Sequence, residues 1–117
     1  MPSMEPRLEP QNLSRYFNEA LILSSLKRGA KHGYQLALDI EERSEGRFGF
    51  KHGTLYPILH KLEKEGLIEG EWSDEGQRGK RKRYKLTGDG IRYLLDLRES
   101  WESLMERFSG LIAEGEE

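Results

Sequence analysis

Between Lys51 and Leu67 the sequence runs KHGTLYPILHKLEKEGL, and four of its side chains carry chemistry at one spacing. Tyr56, His60, Lys61 and Lys64 fall on the arc left over when Leu55, Ile58, Leu59 and Leu62 face a core at helical intervals. An aromatic ring, an imidazole and two ammonium groups on one helix face suit hydrogen bonds to base edges and ion pairs with phosphate. Soon after comes Arg78-Gly79-Lys80-Arg81-Lys82-Arg83, the densest charge run of the chain. A core-anchored helix with a cationic outer face, followed by a basic loop, points to a reader of nucleic acid. Other chemistries fit poorly. The chain has no cysteine, and its three histidines lack metal-ligand spacing. His60 and Glu63 share a helix face, but no nucleophile stands near them in the pattern. No enzyme, metal site or cofactor is expected.

Flanking elements must hold that face rigid. Gly53-Thr54 suits a helix start, with Thr54 as cap and Pro57 within the first turn, where backbone N–H groups lack partners. Gly66 and Leu67 suit a Schellman stop. Upstream, residues 1–11 hold three prolines and no periodicity, which reads as a flexible or loosely docked arm. Asn12 or Ser14 caps a first helix running to Lys27 or Arg28, stopped by Gly29. Its stripe of Leu13, Phe17, Ala20, Leu21 and Ser24 is widened by Tyr16, Leu23 and Leu26, so it should pack on two sides, one of them against a partner chain. A second helix opens at His32-Gly33-Tyr34 and buries Leu36, Ala37 and Ile40. Phe48 and Phe50 read as core-covering aromatics in preference to a base-stacking platform.

From Leu67 the period becomes two. Ile68, Gly70 and Trp72 share one face, Glu69 and Glu71 the other, and Tyr84 and Leu86 alternate with Arg83, Lys85 and Thr87. That is a two-stranded antiparallel ribbon in which Glu69 and Glu71 meet Arg83 and Lys85. Arg78, Lys80, Arg81 and Lys82 are left as the freer cations; the competing reading is an ordinary solvated loop tip.

A last helix runs from near Thr87 to Ala113. Leu94, Leu97, Trp101, Leu104, Phe108 and Leu111 follow one another at intervals of 3, 4, 3, 4 and 3, a heptad seam. A helix of roughly 38 Å at about 1.5 Å per residue outruns what so small a domain can cover. Packing against its copy in a second chain is the economical solution, with Phe17 and Leu21 beside it. Gly88 and Gly90 fall in the first turn and forecast a frayed or hinge-like start, since glycine costs about 1 kcal/mol in a helix interior.

The totals are compatible. A chain of 117 residues is one domain plus an extended helix. The expected division is an arm at 1–11, a DNA-binding unit at 12–87, a dimerisation helix at 88–113 and an acidic tail at 114–117. The net charge of -2 hides an uneven distribution, with cations crowded into 51–85 and glutamates at the C-terminal end. No stretch approaches the ~18 apolar residues of a membrane span, and a cytoplasmic protein is expected.

The fold class is mainly α with a small β-hairpin wing (α+β): helix, helix, helix, ribbon, long helix, the order of a winged helix-turn-helix with an added dimerisation helix. Here the residues resemble a known family. His32-Gly33-Tyr34, Gly53-Thr54-Leu55-Tyr56-Pro57, Leu62-Glu63-Lys64-Glu65-Gly66-Leu67-Ile68 and Tyr84-Lys85-Leu86-Thr87 are similar to the signature of PadR transcriptional regulators, over roughly residues 19–95. The single C-terminal helix resembles the short subgroup. The resemblance implies a homodimeric repressor on double-stranded DNA with an inverted-repeat operator, released in some members by a small hydrophobic or planar effector. It places Tyr34, Thr54, Tyr56 and Pro57 where the family approaches DNA. The outward-face pattern adds His32, Lys51, His60, Lys61 and Lys64, and the wing adds Arg78, Lys80, Arg81, Lys82 and Arg83. Trp101 carries two readings, interface core or effector stacking. The alternative function is a winged-helix protein-interaction module that uses the same outward residues without an operator.

Overall fold

Leu55, Leu59 and Leu62 lie on one side of a helix, and burying that side decides where the neighbouring elements go. The computed structural model describes residues 6–73 and 81–115. A short 3-10 turn, Pro10–Asn12, leads into α1 (Leu13–Lys27), β1 (Lys31–His32) and α2 (Gly33–Arg43). Then follow α3 (His52–Lys64), β2 (Ile68–Ser73), β3 (Arg81–Leu86) and α4 (Gly88–Ala113). The core gathers Ile22, Leu23 and Leu26 of α1, Leu36 and Ile40 of α2, the three leucines of α3, and Leu67, Ile68, Tyr84, Tyr93 and Leu97. Each such aliphatic side chain contributes about 1.5–3 kcal/mol on burial. Phe48 lies edge-on to Phe17, ring centroids 4.8 Å apart, and Phe50 packs against the core, so both aromatics cover apolar surface.

The sheet has three antiparallel strands in the order β1-β3-β2, where alternation alone implies two. β1 is two residues long, too short to show a period. Gly29, at φ 147, ends α1 and lets the chain turn so that Lys31 pairs with Tyr84 and His32 with Arg83. The expected ribbon register holds: Glu69 faces Lys85 and Glu71 faces Arg83. The Lys85 ammonium lies 3.6 Å from the Glu69 carboxylate.

α3 starts earlier than a cap at Thr54 implies. Lys51 is its N-cap residue, its carbonyl accepting from the Thr54 and Leu55 amides at 2.9 and 3.0 Å. Thr54 therefore does not cap, and Pro57 falls inside the helix beyond the first turn. The carbonyl that Pro57 leaves without an i+4 donor belongs to Gly53, an exposed residue. The far end is as the sequence indicates. Gly66 (φ 78) donates to Glu63 O and Leu67 to Leu62 O, both at 3.0 Å, and the Leu62 and Leu67 side chains are buried together.

Two other expectations are corrected. The arm is not loose from Pro6 onward: Pro6 is buried, Leu8 packs on the core, and Asn12 bonds Glu9 N at 2.8 Å and Arg7 O at 2.9 Å. Nor does α4 fray at its start. The Thr87 hydroxyl accepts from Gly90 N at 3.0 Å and donates to Gly66 O at 2.7 Å, while Thr87 N donates to Leu67 O at 3.2 Å. Gly90 is buried there, and a Cβ on it would run into the Leu67 carbonyl. The glycine serves a close backbone approach.

Farther along, Tyr93 donates a 2.5 Å hydrogen bond to Glu19, which is 2% exposed and also takes the Arg15 guanidinium at 3.1 Å. Burial, and then the bond to Glu19, pushes the Tyr93 phenol far above its ordinary pKa, so it stays a donor. This contact ties α1 to α4. Gly90→Ala should destabilise the protein by about 1–3 kcal/mol by overpacking, although alanine favours an exposed helix by about 1 kcal/mol. Urea unfolding checks the sign.

Candidate nucleic-acid interface

α3 turns Leu55, Leu59 and Leu62 inward at 1%, 0% and 0% exposure. Lys51, Thr54, Tyr56, Pro57, His60, Lys61 and Lys64 all lie on its exposed side. The leucine back of the helix fixes it, so the polar face is presented without rearrangement.

The start of α2 stands beside that face. The Tyr56 ring lies across Gly33, where a Cβ would sit 2.7 Å from the phenol oxygen. Tyr34 is exposed and stacks parallel to the His32 ring at 6.0 Å, with the Arg81 guanidinium 5.2 Å from its own centroid. His32, Gly33, Tyr34, Tyr56, Trp72, Arg81, Lys82 and Tyr84 enclose a cleft of about 300 Å³. Aromatic faces and cations thus meet where α2, α3 and the ribbon converge, a combination suited to anionic, planar partners.

His32 is not on the outward surface. It is 6% exposed, its amide donates to the Gln35 side chain at 2.9 Å, and its Nδ1 lies 3.2 Å from the Lys82 carbonyl. It joins the start of α2 to the wing strand, which leaves Tyr34 as the exposed aromatic of that turn. Lys82 is not a free cation either. Its ammonium lies 2.8 Å from the Glu63 carboxylate, whose hydrogen bond raises the lysine pKa. The reason is strand alternation: Lys82, Tyr84 and Leu86 turn inward, and Arg81, Arg83 and Lys85 are exposed. Arg78 and Lys80 lie outside the described residues. Trp72 and Glu63 also belong to this region, beside Lys82. Extending the ribbon's alternation back to residue 82 would have set Lys82 opposite Trp72, its partner in register.

The residues assigned to a partner chain divide in two. Leu97 is fully buried in its own core and has no surface left to share. The first half of α4 docks on α1, and that removes it. Phe17, Leu21, Leu94, Trp101 and Leu104 are half-buried, and Phe108 and Leu111 stand 52% and 70% exposed, with Met105 and Ile112 beside them. Between α1 and α4 runs a largely apolar groove of about 670 Å³, with Phe17, Leu21, Leu94, Trp101 and Met105 in its walls. Trp101 is edge-on to Phe17 at 6.1 Å, and its buried Nε1 has no hydrogen-bond partner among the described residues.

Three helices closed on one core, a ribbon bound to the start of the second and an exposed third helix define a winged helix-turn-helix. The chain belongs to the PadR-like family of transcriptional regulators, which matches residues 22–96. It is 33% identical over 88 residues to the uncharacterized protein X of Lysinibacillus sphaericus, covering 75% of this chain and 81% of that one. It is also 33% identical over 75 residues to the negative transcriptional regulator PadR of Bacillus subtilis (strain 168). That match covers 64% of the present chain, which spans 41% of the regulator's length. The crystal structure of a PadR family transcriptional regulator from Eggerthella lenta superposes with a TM-score of 0.78 at 30% identity, over 90% of this chain and 89% of that one. The family is one of regulators, not enzymes. Among the described residues no helix is long and apolar enough to cross a membrane.

The obstacle to a side chain at Gly33 is the far end of one exposed tyrosine. Gly33→Ala should therefore leave stability within about 1 kcal/mol of wild type while displacing the Tyr56 ring. Unfolding curves together with loss of NMR contacts between Tyr56 and residue 33 test this.

Proposed function

We propose that this protein is a homodimeric repressor of an inverted-repeat operator in double-stranded DNA. The observation that carries the reading is the exposed polar face of α3, held by a fully buried leucine back and continued by Tyr34 and Arg81. A helix of this girth fits a major groove about 12 Å wide. The turns from Thr54 to Lys61 read base edges, and Lys51, Lys64, Arg81 and Arg83 meet phosphate. Repression is inferred from the name of the Bacillus subtilis relative.

Dimerisation is assigned to the second half of α4, where Met105, Phe108, Leu111 and Ile112 form an apolar run that the chain does not cover itself. The functional division proposed is a reading unit over 12–87, preceded by the arm, and a dimer helix over 88–113 whose first turns are also built into the reader's core. A small hydrophobic or planar effector is assigned to the groove beside Trp101. Its volume lies within the usual ~300–1,000 Å³ of ligand sites, and the half-buried Trp101 stands in its wall.

With about four phosphate contacts per subunit, log K should fall with log salt at a slope of about -7 on a duplex carrying the operator. A slope near zero would sink the DNA reading. Lys64→Ala should weaken binding to all sequences alike and flatten the slope by about 1 for each phosphate no longer neutralised. Phe108→Asp should convert a species of twice the 13.6 kDa chain mass into monomer in sedimentation equilibrium. A wild type that sediments as monomer at micromolar concentration contradicts the dimer. In a Trp72→Phe background, planar hydrophobic cations or phenols should quench Trp101 fluorescence. Absence of quenching by every compound leaves Trp101 as a packing residue.

A further inference from the structure

We infer that Lys82 is a positioning residue, not a phosphate contact, and that it locks the wing against the reading helix through Glu63. The inference rests on the DNA-reading function proposed above. Glu63 stands near the end of α3 and Lys82 on β3, so their 2.8 Å ion pair ties the helix to the ribbon directly. Both side chains are only about a quarter exposed, at 25% and 26%. The route between them requires a bare backbone. On β2, Gly70 lies under the lysine stem, and a Cβ there would collide with Lys82 Cε and come within 3.0 Å of Glu63 Oε2. Above, the ammonium lies 5.4 Å from the Trp72 ring centroid and 5.9 Å from that of Tyr84. A carboxylate, two aromatic faces and a glycine floor thus surround one cation.

Two consequences follow from electrostatics. A lysine already neutralised by a carboxylate gains little on meeting phosphate and releases few counterions, unlike exposed Arg81 and Arg83. Second, removing the negative charge of Glu63 beside a DNA-facing surface should tighten binding if charge alone matters. A lock requires the opposite sign.

Duplex binding over a salt series separates these outcomes for wild type, Glu63→Gln, Lys82→Gln, Arg81→Gln and the swapped double variant Glu63→Lys with Lys82→Glu. Glu63→Gln and Lys82→Gln should each weaken binding about tenfold, within the range of coupled neighbours. They should keep the wild-type salt slope, and the swapped pair should recover most of the loss. Arg81→Gln should flatten the slope by about 1 per subunit. Tighter binding by Glu63→Gln, or a Lys82→Gln slope as flat as that of Arg81→Gln, overturns the inference. A second arm needs no DNA. With Trp101→Phe the sole indole is Trp72, and its quenching by acrylamide should rise on Glu63→Gln or Lys82→Gln; unchanged quenching refutes the lock. If wild type shows no salt-dependent duplex binding, the DNA reading fails by itself and the quenching result decides the lock.

Discussion

The structure depends on one backbone corner, Gly66-Leu67. There α3 ends in a Schellman turn and β2 begins one residue later. There also Thr87 bonds the Gly66 and Leu67 carbonyls, and Gly90 rests on the Leu67 carbonyl. α3, the ribbon and the long C-terminal helix therefore meet at two residues. Each contact is short and fixed in direction, and the carbonyl of buried Leu67 would be costly to leave unpaired. In a dimer built on α4, the corner would relate the spacing of the two reading helices to the packing of the dimer helix.

Around that corner the polar groups are arranged by burial more than by charge. Glu19 is enclosed between Tyr93 and Arg15, and His32 is turned in toward the Lys82 carbonyl. Both are ionisable side chains spent on holding elements together. The exposed chemistry is left to Tyr34, Tyr56, His60, Lys61, Lys64 and Arg81, whose backbone positions those buried contacts define. Buried and exposed side chains thus alternate within the same short segments, as with His32 beside Tyr34 and Lys82 beside Arg81.

α4 changes character along its length. Up to Leu97 it is a core helix sealed on α1; beyond Leu104 its apolar side chains face solvent. One heptad seam runs through both halves, so periodicity alone cannot say where the chain's own coverage stops. That boundary is set by where α1 begins: Tyr93 meets Glu19 and Trp101 meets Phe17, so α4 runs back along α1 toward Leu13 and continues past it. Gly90 carries the same lesson at the other end. A propensity scale counts it as a weak point, whereas the structure uses it as the place where two backbones touch.

The sequence by itself determined the spans of α1, α2 and α4, the Gly66 stop, the ribbon register and the exposed face of α3. Each of these follows from a local period or from a single residue's backbone preference. Tertiary structure decided the rest. It buried His32, paired Lys82 with Glu63, took Leu97 into the core, set Pro57 inside its helix and added β1 to the sheet. Most of these outcomes depend on contacts between residues distant in sequence, such as Lys31 with Tyr84, and no local pattern encodes them. Pro57 differs, because its place was decided by where α3 begins, and a capping signal locates that only to within a turn.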